Sequence, residues 1–245
     1  MRPATPDPRA DGPDADPNDG PRAVPVVVYD RRRAALVADL RARGIDDARV
    51  LAAIGRVERH RFVPDTALLP RAYRDEALPI GLGQTISQPY TVAFQTALLD
   101  VRAGDRILEV GTGSGYQAAV LCDLGADVWS VERHAGLADR TTPLLAALGY
   151  PVRTRVGDGT LGWEDAAPFD GIVVTAGGVG VPPALLRQLR VPGAGEGAAS
   201  RGGVLVIPVG GAGGQTMQRL VRTSEASVEM EEAGQFRFVP LVGEG

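Results

Sequence analysis

At 245 residues, 44% hydrophobic and 23% charged, the chain is long enough for one substantial core and too ordinary in composition for a fibrous or disordered class. A formal charge of −4 and a pI near 5.3 imply no strong nonspecific attraction to nucleic acid or to an anionic membrane. The single cysteine, Cys122, excludes an intrachain disulfide and reads as a packed core thiol, and no apolar run reaches membrane-spanning length, so a soluble cytoplasmic protein is expected.

Residues 1–25 are dominated by Pro, Asp, Gly and Ala and hold almost nothing to bury. They read as a disordered tail outside the fold, and they lack the apolar stretch of a secretory signal. From about Asp30, apolar residues including Leu36 and Leu40 recur at helical spacing as far as Gly44, which predicts a first helix. Asp46 or Asp47 caps a second helix with Val50, Leu51 and Ile54 on its apolar face, fading at Val57-Glu58 before the loop Arg61-Phe62-Val63-Pro64. The Arg31-Arg32-Arg33 run reads as a solvated helix face rather than a nucleic-acid contact. A loop over residues 75–90 and a helix from Val92 to Leu99 complete an N-terminal segment, 26–103, that carries the candidate active-site loop.

From residue 104 strands and helices alternate. Strands are predicted near 106–110, 127–131, 152–156, 170–175 and 203–208, with helices near 115–124, 135–148 and 182–190 between them. This is the pattern of an α/β, doubly wound, Rossmann-like parallel sheet with right-handed crossovers. The Gly/Ala-rich stretch 192–203 reads as an extended loop, and two last strands, near 217–222 and 236–242, as an antiparallel hairpin on the sheet edge. Residues 104–245 thus form the core and its hairpin, within one globular domain overall. Ligands of such sheets bind outside the carboxyl ends of the strands, which singles out Glu109 to Gly115, Glu132, Asp158 and Thr175.

The run Ile107-Leu108-Glu109-Val110-Gly111-Thr112-Gly113-Ser114-Gly115-Tyr116 is a buried strand entering a glycine turn that opens a helix. Without a Cβ, Gly111, Gly113 and Gly115 let the backbone turn sharply and lie against a ligand facing the free helix N–H groups. A dinucleotide fingerprint would want its third small residue where Tyr116 stands. Glu109 is a poor neighbour for pyrophosphate and a good one for a cofactor carrying positive charge, such as S-adenosylmethionine. The turn therefore favours a methyltransferase, with a nucleotide-binding oxidoreductase and an ordinary tight turn as the competing readings. Glu132, about 20 residues further on at the end of the second core strand, stands where an acid accepts both ribose hydroxyls. Asp158, between Gly157 and Gly159, is placed to accept from an adenine amino group, although a plain Asx turn would look the same. His60 and His134 lack partner spacing for a metal, and none is expected.

Several of these segments together resemble the protein-L-isoaspartate (D-aspartate) O-methyltransferase family in its bacterial form. The carriers are Leu78-Pro79-Ile80-Gly81 with Gly83-Gln84-Thr85-Ile86-Ser87-Gln88-Pro89-Tyr90, Leu108 to Gln117, Val131-Glu132-Arg133, Gly157-Asp158-Gly159-Thr160-Leu161-Gly162-Trp163, Pro208-Val209-Gly210 and Phe238-Val239-Pro240-Leu241-Val242. The resemblance covers roughly residues 31–243 and weakens across 192–203. It implies S-adenosylmethionine as cofactor and, as substrates, damaged proteins or peptides containing isoaspartyl or D-aspartyl residues. It also implies Ser87 as the active-site serine, orienting the acceptor carboxylate, with Thr85 and Ile86 closing over the cofactor beside Glu109, Gly111, Gly113, Gly115, Glu132, Asp158 and Gly159. Tyr90 is expected on the substrate side, and Val239, Pro240 and Leu241 as an edge-strand wall for an extended peptide. A monomer that binds neither nucleic acid nor membrane is expected. The alternative acceptor is an aspartate of a dedicated precursor peptide, converted to an aspartimide; a noncatalytic binding module is the reading from a different class.

Overall fold

The computed structural model describes residues 26–193, 201–211 and 213–243. The tail at 1–25 and most of the Gly/Ala-rich stretch lie outside the described residues.

Helix α1, Val26–Ala42, starts before Asp30, and α2 covers Ala48–Arg56. Asp47 caps α2, its side chain accepting from the N–H groups of Arg49 and Val50 and so satisfying donors that the first turn leaves unpaired. The segment read as a loop at 75–90 contains a small hairpin, β1 (Leu78–Gly81) and β2 (Gln84–Ile86), paired antiparallel with Leu78 opposite Ile86. Leu82 and Gly83 at its tip both have positive φ, as the tight primed turns of hairpins require. Strands of four and three residues are too short for an alternation to stand out in the sequence. Helix α3, Pro89–Leu99, begins at its proline, where a missing N–H costs nothing.

The core sheet has seven strands among the described residues, in the order β5-β4-β3-β6-β7-β8-β9. These are β3 (Arg106–Val110), β4 (Asp127–Glu132), β5 (Arg153–Val156), β6 (Gly171–Val174), β7 (Val204–Gly211), β8 (Gly214–Arg222) and β9 (Val228–Phe236). The first five are parallel, and β8 and β9 close the edge antiparallel. The chain leaves β3 toward β4 and β5, then returns to lay β6 on the other side of β3, so the strand order reverses beside β3, where α/β sheets bind ligands.

Crossover helices α4 (Tyr116–Asp123), α5 (Ala135–Ala147) and the short α6 (Pro183–Arg187) cover the sheet on both faces. Along β3, Ile107 joins the apolar cluster that also holds Leu40, Val92 and Val120, and Leu108 and Val110 join the cluster of Phe169 and Leu185. Each fully buried side chain of this size contributes roughly 1.5–3 kcal/mol. No helix among the described residues is long and apolar enough to cross a membrane.

Two expectations need correction. Helix 182–190 shrinks to Pro183–Arg187; beyond it the Gln188 side chain is engaged by hydrogen bonds with the backbone of Leu161 and Trp163. The second strand of the hairpin is Val228–Phe236, not 236–242. Glu229, Glu231 and Glu232 give β9 an exposed, charged surface with no apolar alternation, which hid it. The apolar run Val239-Pro240-Leu241 instead crosses over the strand ends, with Leu241 N–H donating to the Gly177 carbonyl and Gly177 N–H to that of Val239.

Replacing the Asp47 cap by alanine is expected to destabilise the fold by about 1 kcal/mol. Urea unfolding of Asp47→Ala measures this, and an unchanged midpoint would mean that tertiary packing alone holds α2.

Candidate active site

The glycine turn follows β3 directly. Gly111, Gly113 and Gly115 have φ of +98°, +51° and +85°, a region that side chains rarely adopt. A Cβ on Gly115 would stand 2.8 Å from Thr141 Cγ2, and one on Gly111 would collide with Thr175 Oγ1. Those two threonines hold the turn. Thr175 Oγ1 donates to the carbonyls of Gly111 at 2.8 Å and Val110 at 3.0 Å, and Thr141 Oγ1 donates to that of Gly113 at 2.7 Å.

Two carboxylates stand at the neighbouring strand ends, in different surroundings. Glu132, at the end of β4, accepts from Gly113 N–H at 2.7 Å on Oε2 and from His134 N–H at 2.8 Å on Oε1, which ties the glycine turn to the start of α5. Glu109 is fully buried. Ser130 Oγ donates to its Oε2 at 2.5 Å, so the Thr112 hydroxyl, 2.6 Å from Ser130 Oγ, donates into the same chain of bonds. Glu109 Oε1 has no hydrogen-bond partner among the described residues. Burial, reinforced by the Glu132 charge, pushes the Glu109 carboxyl up to about 8 against the opposing bond from Ser130.

A single cavity brings together Thr85, Ile86 and Ser87 from the hairpin segment with Glu109, Gly111 and Gly113. Glu132, Gly159 and the crossing segment Val239-Pro240-Leu241 complete its wall. Thr112, Ser114, Thr175 and Ala176 line it as well; of these only Ala176 lay outside the strand-end residues singled out in the sequence. Three expected residues lie elsewhere. Gly115 lies behind the turn against Thr141 and Leu145. Asp158 Oδ1 accepts from the N–H and hydroxyl of Thr160, at 2.8 and 2.7 Å, capping a short 3-10 turn at Gly159–Leu161. Tyr90 turns away into a neighbouring groove. Val239-Pro240-Leu241 is held to the strand ends by one side, the Val239 carbonyl and the Leu241 N–H being taken by Gly177.

Arg59 escaped the sequence reading. It is fully buried, and its guanidinium donates to the carbonyls of Ala72, Glu76 at 3.1 Å and Ser87 at 3.0 Å, while lying 5.7 Å from the Tyr116 ring. An arginine among charged neighbours in Glu58-Arg59-His60-Arg61 gives no sequence signal for burial. His60 stacks on Tyr29 with 4.0 Å between centroids and shares a 2.8 Å hydrogen bond with the Tyr73 hydroxyl, away from the cavity. Among the described residues no group of three or more His, Cys, Asp or Glu is arranged to hold a metal ion. Burial pushes the Cys122 thiol up to about 12, so it is not a nucleophile near neutral pH.

The family model described as Protein-L-isoaspartate(D-aspartate) O-methyltransferase matches residues 31–245. A Protein-L-isoaspartate O-methyltransferase of Salinibacter ruber is 61% identical over 88% of this chain and 94% of its own length. One of Methylorubrum populi is 52% identical over 86% and 94%. A solved structure described as a protein-L-isoaspartate O-methyltransferase superposes with a TM-score of 0.75 at 25% identity, covering 86% of this chain and 66% of that one. A Plasmodium falciparum structure of the same description, in complex with S-adenosyl-L-homocysteine, gives 0.67 at 22% identity over 86% and 98%, a likeness of fold.

The Glu109 carboxyl sets a pH dependence. Between its ordinary value of 4.5 and about 8 the folded state holds a proton that the unfolded state has lost. Its stabilising contribution is therefore full below 4.5 and is lost as pH rises to about 8. Glu109→Gln should remove this slope, so its stability relative to the parent should rise across that window by up to about 1.4 kcal/mol per pH unit. Urea titrations at several pH values check it, and parallel curves would place an ionised carboxylate in the core.

Proposed function

The chain belongs to the protein-L-isoaspartate(D-aspartate) O-methyltransferase family, and from that premise we propose that the cavity beside Ser87 is where it methylates the free carboxylate of L-isoaspartyl and D-aspartyl residues in damaged proteins. The observation that carries this assignment is the meeting of the glycine turn, the strand-end Glu132 and Ser87 on one cavity.

S-adenosylmethionine, when bound, supplies an electrophilic methyl group on a positively charged sulfur. The residues present fit it. Gly111 and Gly113 leave the wall bare for close approach, Glu132 can accept from ribose hydroxyls, and the buried, unpartnered Oε1 of Glu109 would gain an ion-pair partner in a cationic group, which would draw off its proton, and none in a phosphate. Thr85 and Ile86 would cover the cofactor from the hairpin side.

The acceptor needs little activation. An isoaspartyl α-carboxyl group titrates near about 3.5, so at neutral pH it is already the nucleophile and requires no general base. Ser87 donates its hydroxyl to one carboxylate oxygen and so holds the other toward the methyl carbon, a task of orientation. An acylated or methylated serine would need a neighbouring base. Among the described residues no imidazole or carboxylate bonds the Ser87 hydroxyl; the bond at this residue runs from Arg59 to its carbonyl. Arg59 therefore fixes the backbone from which the hydroxyl is presented.

The methyl ester then reacts without the enzyme. The neighbouring backbone nitrogen attacks the ester carbonyl and gives up its proton, methanol leaves, and water opens the resulting succinimide partly to normal aspartate. The relatives named above carry the isoaspartyl acceptor in their names, which favours repair over a dedicated precursor peptide. The enzyme acts as a cytoplasmic monomer on protein and peptide substrates, independently of nucleic acid and membrane; its charge of −4 and lone Cys122 support this setting.

Glu132→Ala should weaken S-adenosylmethionine binding by roughly 1.5–3 kcal/mol, the range for hydrogen bonds to a charged group. Calorimetry on the folded variant checks it; unchanged affinity would reduce Glu132 to a brace between Gly113 and His134. Ser87→Ala should slow methyl transfer to an isoaspartyl peptide by roughly 10- to 1000-fold with cofactor affinity largely kept. Mass spectrometry during turnover should find no adduct on Ser87, and a kinetically competent adduct would overturn direct transfer.

A further inference from the structure

Past Ser87 the chain passes from the cofactor cavity into a second concavity. Ser87 lines the first, and Gln88 lines a groove of about 700 Å³ bounded by the end of α1, by α3, by the β7–β8 turn with the start of β8, and by the end of β9. A second crossing lies opposite, where Arg237 lines the groove and Val239 the cavity. Consecutive Cα atoms are about 3.8 Å apart, so the partition is one or two residues thick at both places.

The groove is floored by aromatic rings. Tyr90 stacks on Phe94 with centroids 5.8 Å apart, Phe94 lies 5.1 Å from Phe236, and Phe236 lies 6.3 Å from Phe238 in the partition itself. Three of the five phenylalanines of the chain stand in this row, all half-buried. Of their two charged neighbours Arg43 is already compensated, its guanidinium lying 4.2 Å over the Tyr90 ring and paired with Asp75, whose other oxygen accepts from Tyr90 N–H at 2.7 Å, while Arg237 stands exposed to solvent. Gly214 and Gly234, without side chains, leave the hairpin wall low.

We propose that this groove receives a side chain within two residues of the isoaspartyl residue in the acceptor, and that it selects an apolar one, aliphatic or aromatic. The proposal rests on the isoaspartyl reading of the Ser87 cavity. With the acceptor carboxylate at Ser87, an extended peptide advances about 3.3 Å per residue, so a flanking side chain reaches across a partition this thin. Burial of that side chain against Tyr90, Phe94 and Phe236 is favourable in proportion to the apolar area removed from water, whereas a carboxylate would find Arg43 already neutralised by Asp75 and, beside it, only the solvent-exposed Arg237, a pairing worth little in water.

The test is kcat/KM on isoaspartyl hexapeptides in which each of the two residues on either side is Gly, Leu, Phe or Asp in turn. At one flanking position Leu or Phe should exceed Gly and Asp by about 10-fold or more, the worth of one buried apolar side chain. In Phe236→Ala, and independently in Phe94→Ala, the Leu-to-Gly ratio should fall below about 3-fold; a ratio taken within each variant cancels any general loss of activity. Equal kcat/KM across the series in the parent protein overturns the proposal without any variant. So does a preference that survives both truncations, and so does a preference for Asp lost in Arg237→Gln. Methylation of none of the peptides would overturn the reading of the Ser87 site itself, an outcome distinct from an even response.

Discussion

A fully buried guanidinium joins the two parts of this protein. Arg59 donates to three backbone carbonyls, of Ala72, Glu76 and Ser87, and no carboxylate bonds it. Removing such a charge from water costs several kcal/mol, and here the forked donors offset that cost by holding carbonyls that no strand or helix would otherwise satisfy. The irregular chain between α2 and β1 and the segment carrying Ser87 are thereby fixed to one group, and through the Tyr116 ring that group also touches the start of α4. The Ser87 segment and the start of α4, both at the cavity, are thus linked through one side chain.

The sheet supplies the rest of the geometry. Reversal of strand order beside β3 opens the strand ends, and the glycine turn fills that opening with its Gly113 and Gly111 carbonyls bonded by Thr141 and Thr175. Glu109 and Glu132 lie close enough to interact, yet they differ in what surrounds them. Glu132 is held by two backbone N–H groups, whereas Glu109 is buried in the cavity lining with one oxygen unpaired. The same residue type thus accepts from backbone N–H groups at one strand end and, buried at the next, keeps its proton to a higher pH.

What could be read from residues alone follows the same physics. The parallel strands were legible because burial on both faces leaves continuous apolar runs such as Gly171–Val174, and the cavity was legible where strand ends meet glycine. The outer hairpin strand was misplaced because β9 faces solvent and carries Glu229, Glu231 and Glu232, while Val239-Pro240-Leu241, apolar for its position over the strand ends, imitated a strand. Arg59 and Ser130 were illegible for a different reason: their partners lie 28 and 21 residues away in sequence, and no local pattern marks a polar side chain for burial. Tyr90 and Asp158 belong to recognisable segments, but the direction of a side chain is set by neighbours such as Asp75 and Thr160.

The charged outer strand bears on the company such an enzyme keeps. An open sheet edge is a template on which any chain with exposed strand backbone can pair. At one margin of the sheet β9 shows three glutamates, and at the other β5 places Arg153 and Arg155 beside Trp129 and Trp163. A strand docking at either margin would have to desolvate those charges. Both margins of the sheet that builds the active site are thus poor templates for an added strand.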